Sequence, residues 1–330
     1  MGETPFTRLV GCTVPLQLAG MGNILTPELG AAVSEAGGLG QVTFAGWPLE
    51  VVEQRLERFR ALTSRPFGVN LLIPYLDMEI LELVASRARV IDFFWGDPDA
   101  ALVRRVHEAG ALASWQVGSA VEAVAAEAAG CDFIIAQGNE AGGHIRGTLG
   151  LLPLLSEVLE AVSIPVLAAG GIGSARSVAA VIAAGAAGVR VGTRFIAAAE
   201  SNAHPDYVRA VIAAGSEDSV RTTRFEVDCG LCPSTHGVLR SAIENADAFQ
   251  GEIVGEVEIA GDRRNIRRFQ GMPPSKVVSG RVDAMACYAG QSVGSVKRVQ
   301  PAAEIVAELF DGVDGLLRRW SPTPARVGAD

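Results

Sequence analysis

A chain of 330 residues that is 49% hydrophobic can bury a full-sized core, as one large domain or as one domain with an insertion. Its 28 Lys and Arg against 37 Asp and Glu leave a formal charge of -9, which argues against nucleic acid as the main partner and favours a soluble enzyme. The opening residues lack the apolar core of a signal peptide and no uncharged apolar run reaches membrane-spanning length, so a cytoplasmic protein with no membrane partner is expected.

In chain order, short apolar strands alternate with helical patterns and glycine turns. Val14–Ala19 reads as the first strand. The helix that follows has Thr26 as N-cap, Pro27 at its first position, Glu28 in its first turn and Gly37-Gly38 as its stop. Further strands read as Leu39–Phe44, Phe67–Leu72, Val90–Phe94, Ala111–Gln116, Cys131–Ala136, Ile164–Ala169 and Gly188–Val191. Helices read as Leu49–Leu62, Met78–Ser86, Asp99–Ala109, Ser119–Ala129 and Ser174–Ala184. About eight strand–helix units predict an α/β fold of the (β/α)8 barrel type over a doubly wound sheet.

After Phe195 the rhythm breaks. Residues 201–290 read as a small, mostly helical insertion, a lid or substrate domain over the barrel mouth, with the barrel itself in 1–200 completed by 291–330. A last helix is expected over Ala302–Trp320, packed on the barrel, and a mobile tail over Ser321–Asp330.

Residues just past the carboxyl ends of such strands face ligands. The run Gln137-Gly138-Asn139-Glu140-Ala141-Gly142-Gly143-His144 sits there, ending in an imidazole able to accept or donate a proton near neutral pH. Two units later come Gly170-Gly171-Ile172-Gly173-Ser174 and Gly192-Thr193-Arg194-Phe195. Glycine turns at the seventh and eighth strands, opening onto a helix N-terminus, predict a phosphate site.

Together with Phe67-Gly68-Val69-Asn70-Leu71 and Ala289-Gly290-Gln291-Ser292-Val293-Gly294, these motifs resemble the nitronate monooxygenase (2-nitropropane dioxygenase) family, in the family's order and over nearly the whole chain. The resemblance implies an FMN-dependent (β/α)8 oxidoreductase. It puts the FMN phosphate on Gly171, Gly173, Gly192 and Thr193, and the flavin ring near Met21, Gly22, Asn70, Gln116, Gln137, Gly143 and Gln291. His144 becomes the catalytic residue, holding an anionic nitronate or first deprotonating the nitroalkane, with dioxygen as co-substrate and a homodimer as a possible assembly. Related flavin-dependent enoyl-acyl-carrier-protein and quinone reductases share the Ala-Gly-Gly-His loop, so an NAD(P)H-dependent reductase stands as the alternative. A non-catalytic FMN-binding module is a third reading, against which an intact His144 weighs.

Among the other histidines, His107 reads as a surface residue and His204, before Pro205, as a cap. His236 follows Cys229 and Cys232 at a spacing that admits zinc, but no fourth ligand lies nearby in the sequence and no metal is expected. At this place the family usually has an Arg-containing run, so the departure bears on the pocket lid and substrate choice. Five cysteines without regular spacing fit reduced thiols. Asp92 reads as an ion-pair partner away from the mouth, and Arg263–Arg268 as a solvated face.

Overall fold

The computed structural model describes residues 2–259 and 262–319. Eight strands carry the architecture: β1 (Leu16–Leu18), β2 (Gly40–Phe44), β3 (Phe67–Leu72), β4 (Val90–Phe94), β5 (Leu112–Val117), β6 (Phe133–Gln137), β7 (Val166–Ala169) and β8 (Gly188–Val191). All pair in parallel, in the order β1-β8-β7-β6-β5-β4-β3-β2. A parallel bridge between Gln17 and Leu39 joins β1 to the chain leading into β2 and closes the ring. The fold is a (β/α)8 barrel, and its strands lie within a residue or two of the apolar runs that announce them.

The outer helices follow from amphipathic patterns with local caps. Thr26 Oγ1 accepts from the Leu29 amide at 2.9 Å, Asp77 caps Met78–Ala85, and Ser174 with Ser177 makes a reciprocal capping box for Ala175–Ala183. Their buried faces join the barrel's outward side chains in one apolar cluster that includes Leu29, Leu56, Phe59, Leu81, Trp115 and Leu154. Pro5–Val10, a short helix not read from the sequence, seals the bottom. Phe6 meets Phe133 edge to face at 5.3 Å, and both share a cluster with Val90 and Leu167.

Two expectations change. The segment 201–290, expected to be mostly helical, holds two helices (Pro205–Ala213 and Arg240–Ala248) but also two antiparallel sheets. In one, Thr235–Leu239 lies between Ser219–Thr222 and Gly143–Ile145; in the other, Ile253–Ile259 lies between Asp262–Arg267 and Val278–Gly280. Along Asp262–Arg267 only Ile266 is buried, so charge hides the strand's apolar alternation. The segment has its own apolar cluster around Tyr207, Phe225, Val254, Val257 and Met285.

The single last helix is in fact two, Ala302–Phe310 and Val313–Arg318, because Gly312 takes a left-handed conformation (φ +71) between them. Ala302–Phe310 packs on both Pro27–Glu35 and Ala175–Ala183, the place of an eighth barrel helix. Trp320 and the tail Ser321–Asp330 lie outside the described residues. No helix among the described residues is long and apolar enough to cross a membrane.

Candidate active site

The barrel interior is unusually polar below the mouth. Arg190 on β8 donates from Nε to Gln17 Oε1 at 3.2 Å and from Nη1 to Gln116 Oε1 at 2.5 Å, and pairs through Nη2 with Asp92. Asn70 donates to Asp92 Oδ2 at 2.7 Å and accepts from Thr43 Oγ1 at 3.2 Å, and Ser114 donates to Asp92 Oδ1 at 3.2 Å. A buried ion pair is tolerable only when its remaining valences are met, and these neighbours meet them. Asp92 therefore forms the ion pair expected of it, but inside the barrel beside Asn70 rather than at the barrel bottom, because it is the middle residue of β4. Asn70 and Gln116, read as flavin contacts, are anchored to the same network, and Asn70 stands directly beneath the first loop: a Cβ on Gly20 would fall 2.3 Å from its Oδ1.

Above this layer the glycine motifs converge on Gly290–Ser295. The Gly290 amide donates to Thr193 Oγ1 at 3.0 Å, and the Gln291 amide to the Glu140 carbonyl at 2.9 Å. Gly142 exists so that the loop after β6 can touch this segment, since a Cβ there would lie 2.6 Å from the Gly290 nitrogen. Gly173 meets its other side, where a Cβ would fall 2.9 Å from both Ser292 Cβ and Ser295 Oγ. Met21 and Gly22 close the first loop against Gly192, whose added Cβ would stand 3.5 Å from Met21 Sδ. The Gln291 side chain is exposed.

The Gly173 amide is taken by Ser177 Oγ at 3.1 Å, but those of Gly171, Gly192 and Thr193 donate to no acceptor among the described residues. Free amides on touching loops, beside the N-terminus of Ala175–Ala183, fit a phosphate. Arg194 braces the cradle from behind, donating to the Gly173 carbonyl at 2.7 Å and pairing with Glu308 at 2.5 Å.

His144 stands on Gly143–Ile145, and Gln137 puts it there. Gln137 Nε2 donates to the His144 carbonyl at 3.0 Å while its Oε1 accepts from the Arg146 amide at 3.2 Å. Both ends of this amide are thus used within the loop that carries Gly143 and His144. The strand pairs with Thr235–Leu239 so that His144 is directly opposite His236, and opposite residues of an antiparallel pair share a face. The two rings meet edge to face at 4.4 Å.

The Cys229-Gly230-Leu231-Cys232 turn folds over them as a disulfide, correcting the expectation of five reduced thiols; Cys12, Cys131 and Cys287 are free and buried. His144 Nε2 lies 3.2 Å from Cys229 Sγ, and His236 Nε2 3.6 Å from Cys232 Sγ. The fourth ligand-type residue that the local sequence lacks is therefore supplied by strand register: the donor atoms of His144, Cys229, Cys232 and His236 all lie within 4.8 Å of one another.

Two aromatic residues without any sequence signal complete the site. Trp95, in a left-handed conformation (φ 67) after β4, meets the His144 ring at 5.7 Å. Tyr288 stacks on His236 at 5.7 Å, its buried hydroxyl without a hydrogen-bond partner among the described residues. Burial, and secondarily the charge of His236, hold the His144 imidazole down to about 3 from its ordinary 6.5. Burial lowers His236 too, opposed by the Thr222 backbone. Both rings are neutral at working pH. Of the remaining histidines, His204 caps Pro205–Ala213 through Nδ1, and His107 pairs with Asp132 at the surface.

The nitronate monooxygenase family model matches residues 3–79 and 76–312. The chain belongs to the nitronate monooxygenase family. It is an oxidoreductase, and the family is one of flavoenzymes. A probable nitronate monooxygenase of Staphylococcus aureus (strain MRSA252) is 30% identical over 294 residues, 75% of this chain and 81% of that protein. The (3aS,4S,5R,7aS)-5-hydroxy-7a-methyl-1-oxo-octahydro-1H-indene-4-carboxyl-CoA dehydrogenase of Rhodococcus jostii (strain RHA1) is 35% identical over 278 residues, 84% of this chain and 76% of that protein. Among solved structures, FabK from Thermotoga maritima superposes with a TM-score of 0.80 at 29% identity, covering 97% of this chain and 98% of its own. The nitroalkane oxidase from Streptomyces ansochromogenes gives 0.72 at 28% identity, covering 95% and 100%.

Proposed function

We propose that this family member oxidises alkyl nitronates with dioxygen on bound FMN. The observation that supports the reading most is His144: a neutral imidazole held by strand pairing, on the same loop system as a three-motif phosphate cradle. FMN, when bound, supplies the redox chemistry, taking electrons from the nitronate and passing them to dioxygen. Gly171, Gly192 and Thr193 would hold its phosphate through free amides, with Gly173 shaping the turn. Met21, Gly22, Asn70, Gln116, Gly143 and Gln291 would border its ring, and Gln137 would fix the loop.

The protein's own part is binding and proton handling. A neutral His144 donates a hydrogen bond from one ring nitrogen while the other accepts a proton. Starting from a nitroalkane, the proton leaves the carbon beside the nitro group for a ring nitrogen of His144, and the carbanion charge moves to the nitro oxygens. The negative charge that develops on the nitro oxygens as the proton leaves stabilises the imidazolium that forms, offsetting the burial that holds the ring's basicity down. The unpartnered Tyr288 hydroxyl is a second donor for those oxygens, and Trp95 provides an apolar wall.

An acyl-CoA substrate with pyridine nucleotide as the redox partner is the second reading. It is favoured by the 35% identity to a protein named as a carboxyl-CoA dehydrogenase. One anaerobic stopped-flow experiment separates the two. The purified flavin-loaded protein is mixed with a small alkyl nitronate, NADH or NADPH, and the oxidised-flavin absorbance is followed. Rapid loss with nitronate alone is expected; rapid loss only with a pyridine nucleotide overturns nitronate oxidation in favour of the second reading.

A further inference from the structure

We infer that the reduced form of this chain binds one soft divalent metal ion, of the Zn²⁺ class, through Cys229, Cys232, His144 and His236 at the barrel mouth. The inference concerns these four side chains and does not depend on nitronate being the substrate. It departs from the sequence expectation of no metal, and three observations carry it.

Convergence is the first. The four donor atoms come from three separate pieces of chain, the loop after β6, the Cys229–Cys232 turn and the strand Thr235–Leu239, yet fall within 4.8 Å of one another. In a tetrahedral centre with bonds of about 2.0–2.3 Å, donors stand roughly 3.3–3.8 Å apart. The spacings of 3.2 Å (His144 Nε2 to Cys229 Sγ) and 3.6 Å (His236 Nε2 to Cys232 Sγ) already match. The bonded sulfurs must separate.

Donor type is the second. Two thiolates and two imidazoles, with no carboxylate, select zinc-like ions over magnesium or calcium. Two thiolates also cancel a dication, so the loaded centre is neutral, which suits a place where His236 is fully buried.

Orientation is the third. Both histidines present Nε2 to the sulfurs. The other nitrogen of His236 is buried without a hydrogen-bond partner among the described residues, so nothing there competes for the ring.

The chemistry balances with a small dithiol as reductant. Cleavage of the Cys229–Cys232 bond places two electrons and two protons on the sulfurs and leaves the reductant as its own disulfide. Metal binding then forms two metal–sulfur and two metal–nitrogen bonds and releases the two thiol protons to solvent. Four protein ligands leave no open position, so the centre clamps Nε2 of His144 and closes the lid turn onto the loop after β6.

The test uses the full chain, reduced with dithiothreitol, desalted anaerobically and titrated with Co²⁺ and then Zn²⁺. Thiol counting should show that the pair is reduced. Co²⁺ should then give the intense ligand-field bands of a tetrahedral site and a thiolate charge-transfer band, at one ion per chain, displaced by Zn²⁺. The oxidised protein should give neither. Cys229→Ser with Cys232→Ser should abolish the charge-transfer band, and His236→Asn should weaken binding by at least about a hundredfold. Circular dichroism checks that each variant is folded; the unmodified chain in its two redox states needs no variant at all. A pair that resists the dithiol, a reduced protein that takes up no ion, or a spectrum without thiolate bands (an adventitious ion only) would overturn the inference.

Discussion

At the scale of single residues, His144 concentrates the testable chemistry. His144→Asn keeps a hydrogen-bonding amide but removes the proton acceptor. Turnover of neutral nitroalkane should fall by roughly 10²–10⁴, the usual worth of a general base, while preformed nitronate suffers much less. Steady-state kcat/KM on both substrates checks this, and equal losses remove the base role. The same imidazole makes the fold acid-sensitive. Its folded value of about 3 lies below its ordinary 6.5, so between those limits the unfolded chain binds a proton that the folded chain does not. Stability should therefore drop as pH falls from about 6.5 toward 3, and His236, lowered in the same direction, adds to the slope. Urea melts of the wild type and His144→Asn at several pH values should show a shallower acid slope in the variant. An unchanged slope would mean that the ring is not held neutral by burial.

At the scale of elements, the cradle works because three loops and the helix Ala302–Phe310 brace one another. Arg194 is the strut, joining the Gly173 carbonyl to Glu308. Arg194→Met should cost about 2 kcal/mol through the lost charged hydrogen bonds. It should also weaken flavin binding about tenfold, read from a fluorescence-quenching titration; a lower melting temperature with unchanged flavin affinity would confine Arg194 to stability. Much of this level was legible in the sequence. Strand lengths, the helix cap at Thr26 and the glycine turns depend on neighbours a few residues away. The pairing of Gly143–Ile145 with Thr235–Leu239 was not, because it joins segments about ninety residues apart and its three rungs (Thr235 with Ile145, His236 with His144, Gly237 with Gly143) show no apolar alternation. Tyr288 and Trp95 were invisible for the same reason: nothing local marks an aromatic residue that a distant strand brings beside His144.

At the scale of the whole molecule, the Asp92–Arg190 pair ties opposite sides of the barrel through its interior. Asp92→Asn leaves a buried guanidinium without its anion and should destabilise the chain by about 3–5 kcal/mol. Asp92→Leu with Arg190→Met should recover much of that loss in stability. Thermal melts of the single and double variants decide it, and a double variant no better than the single would show that Gln17, Gln116 and Asn70 cannot do without the charges. Eight-fold alternation made the barrel legible from sequence. The register inside it, which sets Arg190 against two amides and a carboxylate, follows from how eight strands stagger on closing, and a linear chain does not display that.

The pairing of Gly143–Ile145 with Thr235–Leu239 also orders events in time. As the chain leaves the ribosome, the last barrel strand ends at Val191, well before the strand that orients His144 has been made. A partly synthesised molecule can thus own its barrel strands and its imidazole while the imidazole still lacks the strand that stands opposite it. The pairing that sets His144 opposite His236 therefore forms late, after every barrel strand already exists.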